Sequence, residues 1–374
     1  MRYLFINSVY GIGSTGKIIA QQCHKLQAQG HPCLVAYGRE AIPDSEVHCI
    51  RIGNKIDYLT HAAWSRCFDL TGLCSRHATK KFLKTAEAYA PDVIWLHNLH
   101  GYYINIELLF EWLKRHPQIT VRWTLHDCWA FTGHCPNFAM IRCEKWKTGC
   151  CDCTQLKEYP KTYGGDHSRR NYLRKRAAFT GISNMQLITP SKWLADLTRD
   201  SFLAQYPVEV VHNTIDLNVF KPTKSDFRKN HGLEDKSIIL GVSTLWDKAK
   251  GLPDLLKIRE MLTPNYVIVV VGAPESLIKT FPEGVLGIGR TKDQTELAAI
   301  YTAADVFVNP THQDNYPTVN LEAAACGTPV VTYNVGGSPE SAAPENVVPE
   351  NDIKGMVRRI RQICDKKRWN EETK

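Results

Sequence analysis

Short apolar runs alternate with helically spaced segments, in two successive series, and no other feature of this sequence constrains the fold as strongly. The first series of strand candidates is Tyr3–Asn7, Pro32–Tyr37, Val93–His97, Val121–Leu125, Gln186–Thr189 and Val208–His212. The second is Ser237–Val242, Tyr266–Gly272, Val285–Ile288, Val306–Asn309 and Pro329–Tyr333. Helical stretches lie between them. Lys17–Ala28 carries Ile18, Ile19, Cys23 and Leu26 at helical spacing and stops at Gly30; Leu252–Leu262, Asp293–Ala304 and Val319–Ala325 are further examples. Strands this short and apolar need cover on both faces, which parallel sheets flanked by helices provide. Right-handed crossovers then wind each series into a doubly wound sheet. The expectation is an α/β chain of two Rossmann-like domains facing a cleft, residues 1–215 and 216–374. A length of 374 residues suits two domains. The boundary falls in Thr214–Thr223, where an extended linker closes on Pro222.

Composition removes other classes. With 43% hydrophobic and 22% charged residues, the chain is neither disordered nor collagen-like. No apolar run approaches the ~20 residues of a membrane-spanning helix. The start, Met1–Asn7, reads as a strand rather than a signal peptide. These features predict a cytoplasmic protein. A net charge of +8 could serve anionic ligands, anionic lipid or nucleic acid and alone chooses none of them. The partners expected from the rest of the sequence include no nucleic acid.

Ligands of doubly wound sheets bind at the carboxyl ends of the strands, so the loops after strands are the places to look. After the first strand, Gly11, Gly13 and Gly16 form G-x-G-x-x-G, with Glu40 after the second strand. Lys17 nearly completes a phosphate loop, but Ile18 stands where the Mg²⁺-binding hydroxyl would be. Several readings stay open here: a nicotinamide cofactor, a nucleotide phosphate loop, a plain tight turn, or backbone N–H groups that attract an anion or acceptor. After Val306–Asn309, Asp314 lies in a loop, Asn315, Tyr316, Pro317 and Thr318 lead into a helix, and Glu322 sits one turn inside it. A loop carboxylate, a helix N-terminus and a buried second carboxylate suit a ligand with hydroxyls and phosphates. His126, beside Asp127, ends the strand Val121–Leu125, and His97 ends the strand before it. Either could donate a hydrogen bond to a sugar, His97 on the acceptor side. Asp127 could instead simply cap His126.

Six of the 13 cysteines fall between Cys128 and Cys153. In a reducing compartment disulfides are a poor default. Cys135, Cys143, Cys150 and Cys153, the last two in a C-x-x-C, suit a structural zinc with no open coordination position. Free thiols, or a disulfide pair in a mildly oxidising setting, are the alternatives. The segment Lys161–Arg176 is rich in Lys and Arg and is the candidate contact for an anionic membrane surface.

The run Asp314-Asn315-Tyr316-Pro317-Thr318-Val319-Asn320-Leu321-Glu322-Ala323-Ala324-Ala325-Cys326-Gly327-Thr328-Pro329-Val330-Val331 resembles the donor-site signature of family-four retaining glycosyltransferases with the GT-B fold, the type of bacterial cell-surface polysaccharide assembly. Asp216–Pro222 is similar to that family's interdomain linker. Gly241–Leu252, with its Lys250-Gly251, resembles its diphosphate segment, and Val335–Glu340 resembles its glycine turn. The family's usual first Glu is Asp314 here, and Thr244 replaces a frequent Arg, whose charge Lys248 could supply. The resemblance implies a sugar transferred with retention from a nucleotide-diphosphate sugar to a hydroxyl of a glycan or lipid-linked acceptor, with no catalytic metal. It implies Glu322 on the ribose, Asp314 with the Asn315–Thr318 backbone on the donor sugar, Lys250 on the diphosphate and His126 near the sugar. The alternatives are a nicotinamide-dependent oxidoreductase using Gly11–Gly16 and an inactive sugar-nucleotide-binding module.

Overall fold

A computed structural model describes residues 1–42 and 44–372, with side chains placed through Lys367. The chain divides into two compact units, Met1–His212 and Asn213–Lys374. Each is one parallel sheet with helices on its faces, so the expected α/β class and the doubly wound pattern are both present.

In the first unit the elements run β1 (Tyr3–Tyr10), α1 (Gly13–Ala28), β2 (Cys33–Ala41), β3 (His48–Arg51), α2 (Lys55–Phe68), α3 (Arg76–Tyr89), β4 (Val93–Leu96), α4 (Ile106–Lys114), β5 (Thr120–Thr124), α5 (Ser168–Phe179), β6 (Met185–Thr189), α6 (Lys192–Arg199) and β7 (Val208–Val210). The strand order is β3-β2-β1-β4-β5-β6-β7. The order reverses between β1 and β4, and Tyr3, Leu4, Phe5 and Ile6 pair in register with Val93, Ile94, Trp95 and Leu96. One face of the sheet carries an aromatic core in which Phe110, Trp123 and Phe179 meet at ring separations of 4.6–5.4 Å. The cysteine-rich segment 128–153 adds Trp129, Phe131 and Trp146 to that core.

The second unit runs α7 (Phe227–His231), β8 (Ser237–Val242), α8 (Leu252–Glu260), β9 (Tyr266–Val271), α9 (Glu275–Ile278), β10 (Val285–Ile288), α10 (Gln294–Ala303), β11 (Val306–Asn309), α11 (Thr318–Ala325), β12 (Val330–Tyr333), β13 (Val347–Val348) and α12 (Ile353–Glu372). Its order is β10-β9-β8-β11-β12-β13, reversing between β8 and β11. Alternate residues of one strand serve opposite cores. Ile239 packs with Leu255, Ile258 and the Met356, Val357, Ile360 face of α12, while Ile238 and Leu240 pack with Ala298, Tyr301 and Ala323. Burying each such side chain contributes on the order of 1.5–3 kcal/mol. This two-sided burial is why these strands read as unbroken apolar runs rather than as alternating ones.

The structure corrects several boundaries. Helix α1 begins at Gly13, not Lys17, so Gly13 and Gly16 lie inside it. Strands β3 and β13 carry too little apolar pattern to show in the sequence; β3 is a half-exposed edge and β13 has two residues. The basic stretch Lys161–Arg176 is not one solvated face. Arg174 holds Glu107 with two hydrogen bonds of 2.7 and 2.8 Å. Lys175 is buried, donates to the Trp129 and Thr132 carbonyls at 2.7 and 3.0 Å, and lies 3.5 Å over the Trp129 ring. Burial lowers its pKa to about 7.

Candidate functional site

In the second unit, β8 and β11 lie side by side at the reversal of strand order, the position where open α/β sheets bind ligands. The loop after β8 contains Lys248 and Lys250; the loop after β11 contains Asp314. Neighbouring strands therefore bring together side chains 64 residues apart, and Lys250 Nζ donates to Asp314 Oδ2 at 2.7 Å. Backbone ties fix both loops. His312 N–H and the Thr311 hydroxyl donate to the Ala249 carbonyl at 2.8 and 3.1 Å. Gly251 opens α8 at φ +74°, and a Cβ there would stand 2.0 Å from the Pro310 carbonyl oxygen. Gly336, at φ +58°, lies equally close to the Asp314 carbonyl, which accepts from Gly337 N–H at 3.1 Å. Only glycine allows either approach. Both glycines belong to motifs that the sequence had singled out. Lys248 and Thr244 are exposed in the same loop.

Helix α11 starts after Pro317 with no side-chain cap. Glu322, one turn in, is half-buried rather than fully buried, and its Oε2 accepts from the Tyr301 hydroxyl at 3.0 Å. Beneath it, Asn320 accepts from Asn309 and donates to Ser341, both at 2.8 Å, which pins α11 to β11 and the following turn. A second network escaped the sequence reading. Buried His312 bonds Asp254 at 3.0 Å and Glu350 at 3.1 Å, and the Tyr333 hydroxyl donates to Asp254 at 2.9 Å. It braces the Asp314 loop from behind. His312 lies two residues before the donor-site segment, and its partners are 58 and 38 residues away.

In the first unit, the loop after β4 is tied to β1 at the other reversal, where Asn98 N–H donates to Asn7 Oδ1 at 3.1 Å. In the glycine loop one backbone donor is already used, while α1 starts after Ile12 with no side-chain cap and with Gly13 and Ser14 exposed. Gly11 N–H is spent on the Gly16 carbonyl at 3.1 Å, and Gly16 is buried against it. Glu40 lies within β2, in register with Val9, rather than after the strand. His97 and His126 face one another, Nδ1 to Nε2 at 2.9 Å, with rings stacked 5.2 Å apart. Burial pushes His97 well down and takes His126 to about 4, so both are neutral near pH 7. Asp127 acts electrostatically on His126 and is itself held by other partners. It accepts from Trp129 N–H at 2.9 Å and holds His100 at 2.7 Å, while His100 also meets the Tyr159 hydroxyl.

Cys135, Cys143, Cys150 and Cys153 line one cavity of about 290 Å³ beside α5. The Cys135 and Cys153 thiols share a hydrogen bond that lowers the Cys153 pKa and raises that of Cys135. Gly133 N–H donates to Cys150 Sγ at 3.1 Å. Among the described residues, no group of three or more His, Cys, Asp or Glu side chains stands together as a metal site, and all 13 cysteines are free of disulfides. The four thiols share a cavity without forming the tetrahedron that a zinc needs.

Residues 223–374 match the family model described as Glycosyl transferases group 1. The putative colanic acid biosynthesis glycosyl transferase WcaC of Escherichia coli is 26% identical over 332 residues, which is 86% of this chain and 74% of that one. Among solved structures, sucrose-phosphate synthase from Thermosynechococcus elongatus superposes with a TM-score of 0.70 at 18% identity, covering 99% of this chain and 91% of that one. Anabaena HepE, solved in complex with UDP-glucose, gives 0.63 at 14% identity, covering 98% and 91%.

Proposed function

We propose that this glycosyltransferase, whose residues 223–374 are a group 1 domain, moves a sugar from a nucleoside-diphosphate sugar to a hydroxyl of a glycan or lipid-linked acceptor, with retention, in surface polysaccharide assembly. The observation that carries this reading is the Lys250–Asp314 pair at the β8–β11 reversal, in the loop that leads into α11, whose first turn brings in Glu322. Lys250 exchanges Asp314 for the donor diphosphate and offsets the charge that grows as the glycosidic bond breaks; Lys248 adds a second charge where Thr244 leaves a gap. Glu322 accepts from the ribose hydroxyls. Asp314 and the Asn315, Tyr316, Pro317 and Thr318 backbone orient the donor sugar. His126, held neutral and fixed by His97, donates a hydrogen bond to the transferring sugar without carrying charge. Gly11, Gly13 and Gly16 shape the acceptor side of the first unit.

No covalent nucleophile is needed. The leaving phosphate oxygen takes the acceptor proton as the new bond forms on the same face of the sugar. The names of the WcaC relative and the HepE complex favour a polysaccharide product and a nucleotide-sugar donor. No helix among the described residues is long and apolar enough to cross a membrane. The location proposed for the enzyme is the cytoplasm, peripheral at an anionic membrane surface, where a lipid-linked acceptor would be met.

A thermal-shift panel of nucleoside diphosphates and their sugars, beginning with UDP and UDP-glucose, tests the reading, because a ligand of the native state raises the melting temperature by mass action. Stabilisation by one base, followed by release of free nucleotide on adding acceptor, is expected. Binding without nucleotide release would reveal an inactive module. An absorbance change with a nicotinamide cofactor would reveal an oxidoreductase.

A further inference from the structure

Helix α2 is inside out on its solvent side. His61, Ala62 and Ser65 face inward. Ile56, Leu59, Trp64 and Phe68 face outward along the helix, with Trp64 and Phe68 one turn apart, and are 73%, 53%, 48% and 46% exposed. Trp64 and Phe68 stack at 5.0 Å, so these two rings form one exposed aromatic pair at the C-terminal end of the helix, with Ile56 and Leu59 exposed toward its start. The patch extends beyond the helix. The segment after Pro160 is tied to its last turn, with Tyr163 N–H and the Thr162 hydroxyl donating to the Arg66 carbonyl at 2.7 and 3.1 Å. This sets Tyr163, 71% exposed, beside that turn. Arg170, at the start of α5, donates to the Phe68 carbonyl at 2.9 Å. The rim is basic: Arg66, Lys161, Arg169 and Arg170 are all exposed, and Lys161 Nζ lies 5.9 Å from the Tyr163 ring. The nearby carboxylates are engaged elsewhere. Asp57 closes the capping box on Asn54, and Asp166 accepts from Cys153 and Ser168 N–H groups.

We propose that the outer face of α2, with Tyr163 and this basic rim, docks on an anionic lipid surface. Aliphatic and aromatic side chains ringed by Lys and Arg match the interfacial layer of a bilayer, where rings sit at headgroup depth and bases meet lipid phosphates. A second copy of the chain is a poor occupant, since two-fold pairing would set one basic rim against another. This refines the membrane placement proposed above and shifts it from the length of Lys161–Arg176 to α2 and its surround. It also gives α2 a role toward the acceptor. On its inner side Tyr58 and His61 meet Tyr102 at 6.0 and 5.9 Å, and Tyr102 meets Tyr159 at 6.3 Å, in the loop that carries His97 and His100. A lipid-linked acceptor would thus have its hydroxyls delivered beside the helix that touches the bilayer.

The test is co-sedimentation of the full chain with phosphatidylcholine vesicles, with and without phosphatidylglycerol, at low and high salt. Binding is expected only to the anionic vesicles and only at low to moderate salt. Changing Arg66, Lys161 and Arg169 to Gln should weaken it about a hundredfold, at roughly fivefold per charge. Trp64→Ser with Phe68→Ser should weaken it about tenfold or more. Brominated lipid should quench wild-type tryptophan fluorescence and lose that fraction in Trp64→Phe. Stabilisation by nucleoside diphosphate should be unchanged in every variant, which separates this proposal from the transferase reading. No binding at low salt, or binding that neither set of changes weakens, overturns it. So does a dimer that the Trp64→Ser, Phe68→Ser variant dissociates while vesicle binding persists.

Discussion

The ion pair between Lys250 and Asp314 makes the donor site testable by partner exchange. At 2.7 Å and an effective dielectric near 20, the bare attraction is about 6 kcal/mol. The Lys250 side chain is 35% exposed and Asp314 19%, so desolvation and screening leave a net worth nearer 0.5–1 kcal/mol. A donor diphosphate that recruits Lys250 forfeits this pair on binding. Asp314→Asn should therefore tighten the binding of the matching nucleoside diphosphate roughly two- to fivefold, while lowering turnover because the sugar loses its carboxylate. Lys250→Ala should weaken binding roughly 10- to 150-fold, through loss of a charge-assisted bond worth about 1.5–3 kcal/mol. In the Lys250→Ala background, Asp314→Asn should do almost nothing. Calorimetric titration of the two single variants and the double variant closes the cycle. The same gain from Asp314→Asn with and without Lys250 would mean that the carboxylate acts on the phosphates directly. Wild-type affinity in Lys250→Ala would take the lysine out of the site altogether.

Glu322 bears two duties, one to the proposed ribose and one to the Tyr301 hydroxyl. Glu322→Gln should keep the fold and weaken nucleotide binding by about 1.5–3 kcal/mol; Glu322→Ala should in addition lower stability by about 1–2 kcal/mol by orphaning a buried hydroxyl, read by denaturant melts. His126 has a folded pKa of about 4 against 6.5 when unfolded, so the unfolded chain binds the extra proton between those values. The stability of the first unit should fall as pH drops from 6.5 toward 4, by roughly 3 kcal/mol from this group, and His126→Gln should flatten that slope in pH-dependent melts. Zinc at Cys135, Cys143, Cys150 and Cys153 is a proposal that requires the cavity to close around the metal. About one zinc per chain and a melting temperature lowered by a chelator would support it, and zinc-free reduced protein with unchanged stability would discard it.

The path of the chain was largely legible in the sequence. A strand buried on both faces must be apolar at almost every position, so Ser237–Val242 and Val306–Asn309 announce themselves, and with them the loops that carry Lys250 and Asp314. The edge strand β3 and the two-residue β13 lack that signature and went unseen. Which side chains meet was a different matter. The sequence sets His126 beside Asp127, and the fold adds partners that it does not show: His97, 29 residues away, for His126, and His100 for Asp127. Lys175 sits in a basic run, yet the fold buries it under Trp129. Trp64 and Phe68 on α2 lie one turn apart, yet the fold turns them outward. Burial periodicity is a local property and is written along the chain. Partnership depends on which strands are neighbours, and β8 lies against β11 only because the order of the sheet reverses there.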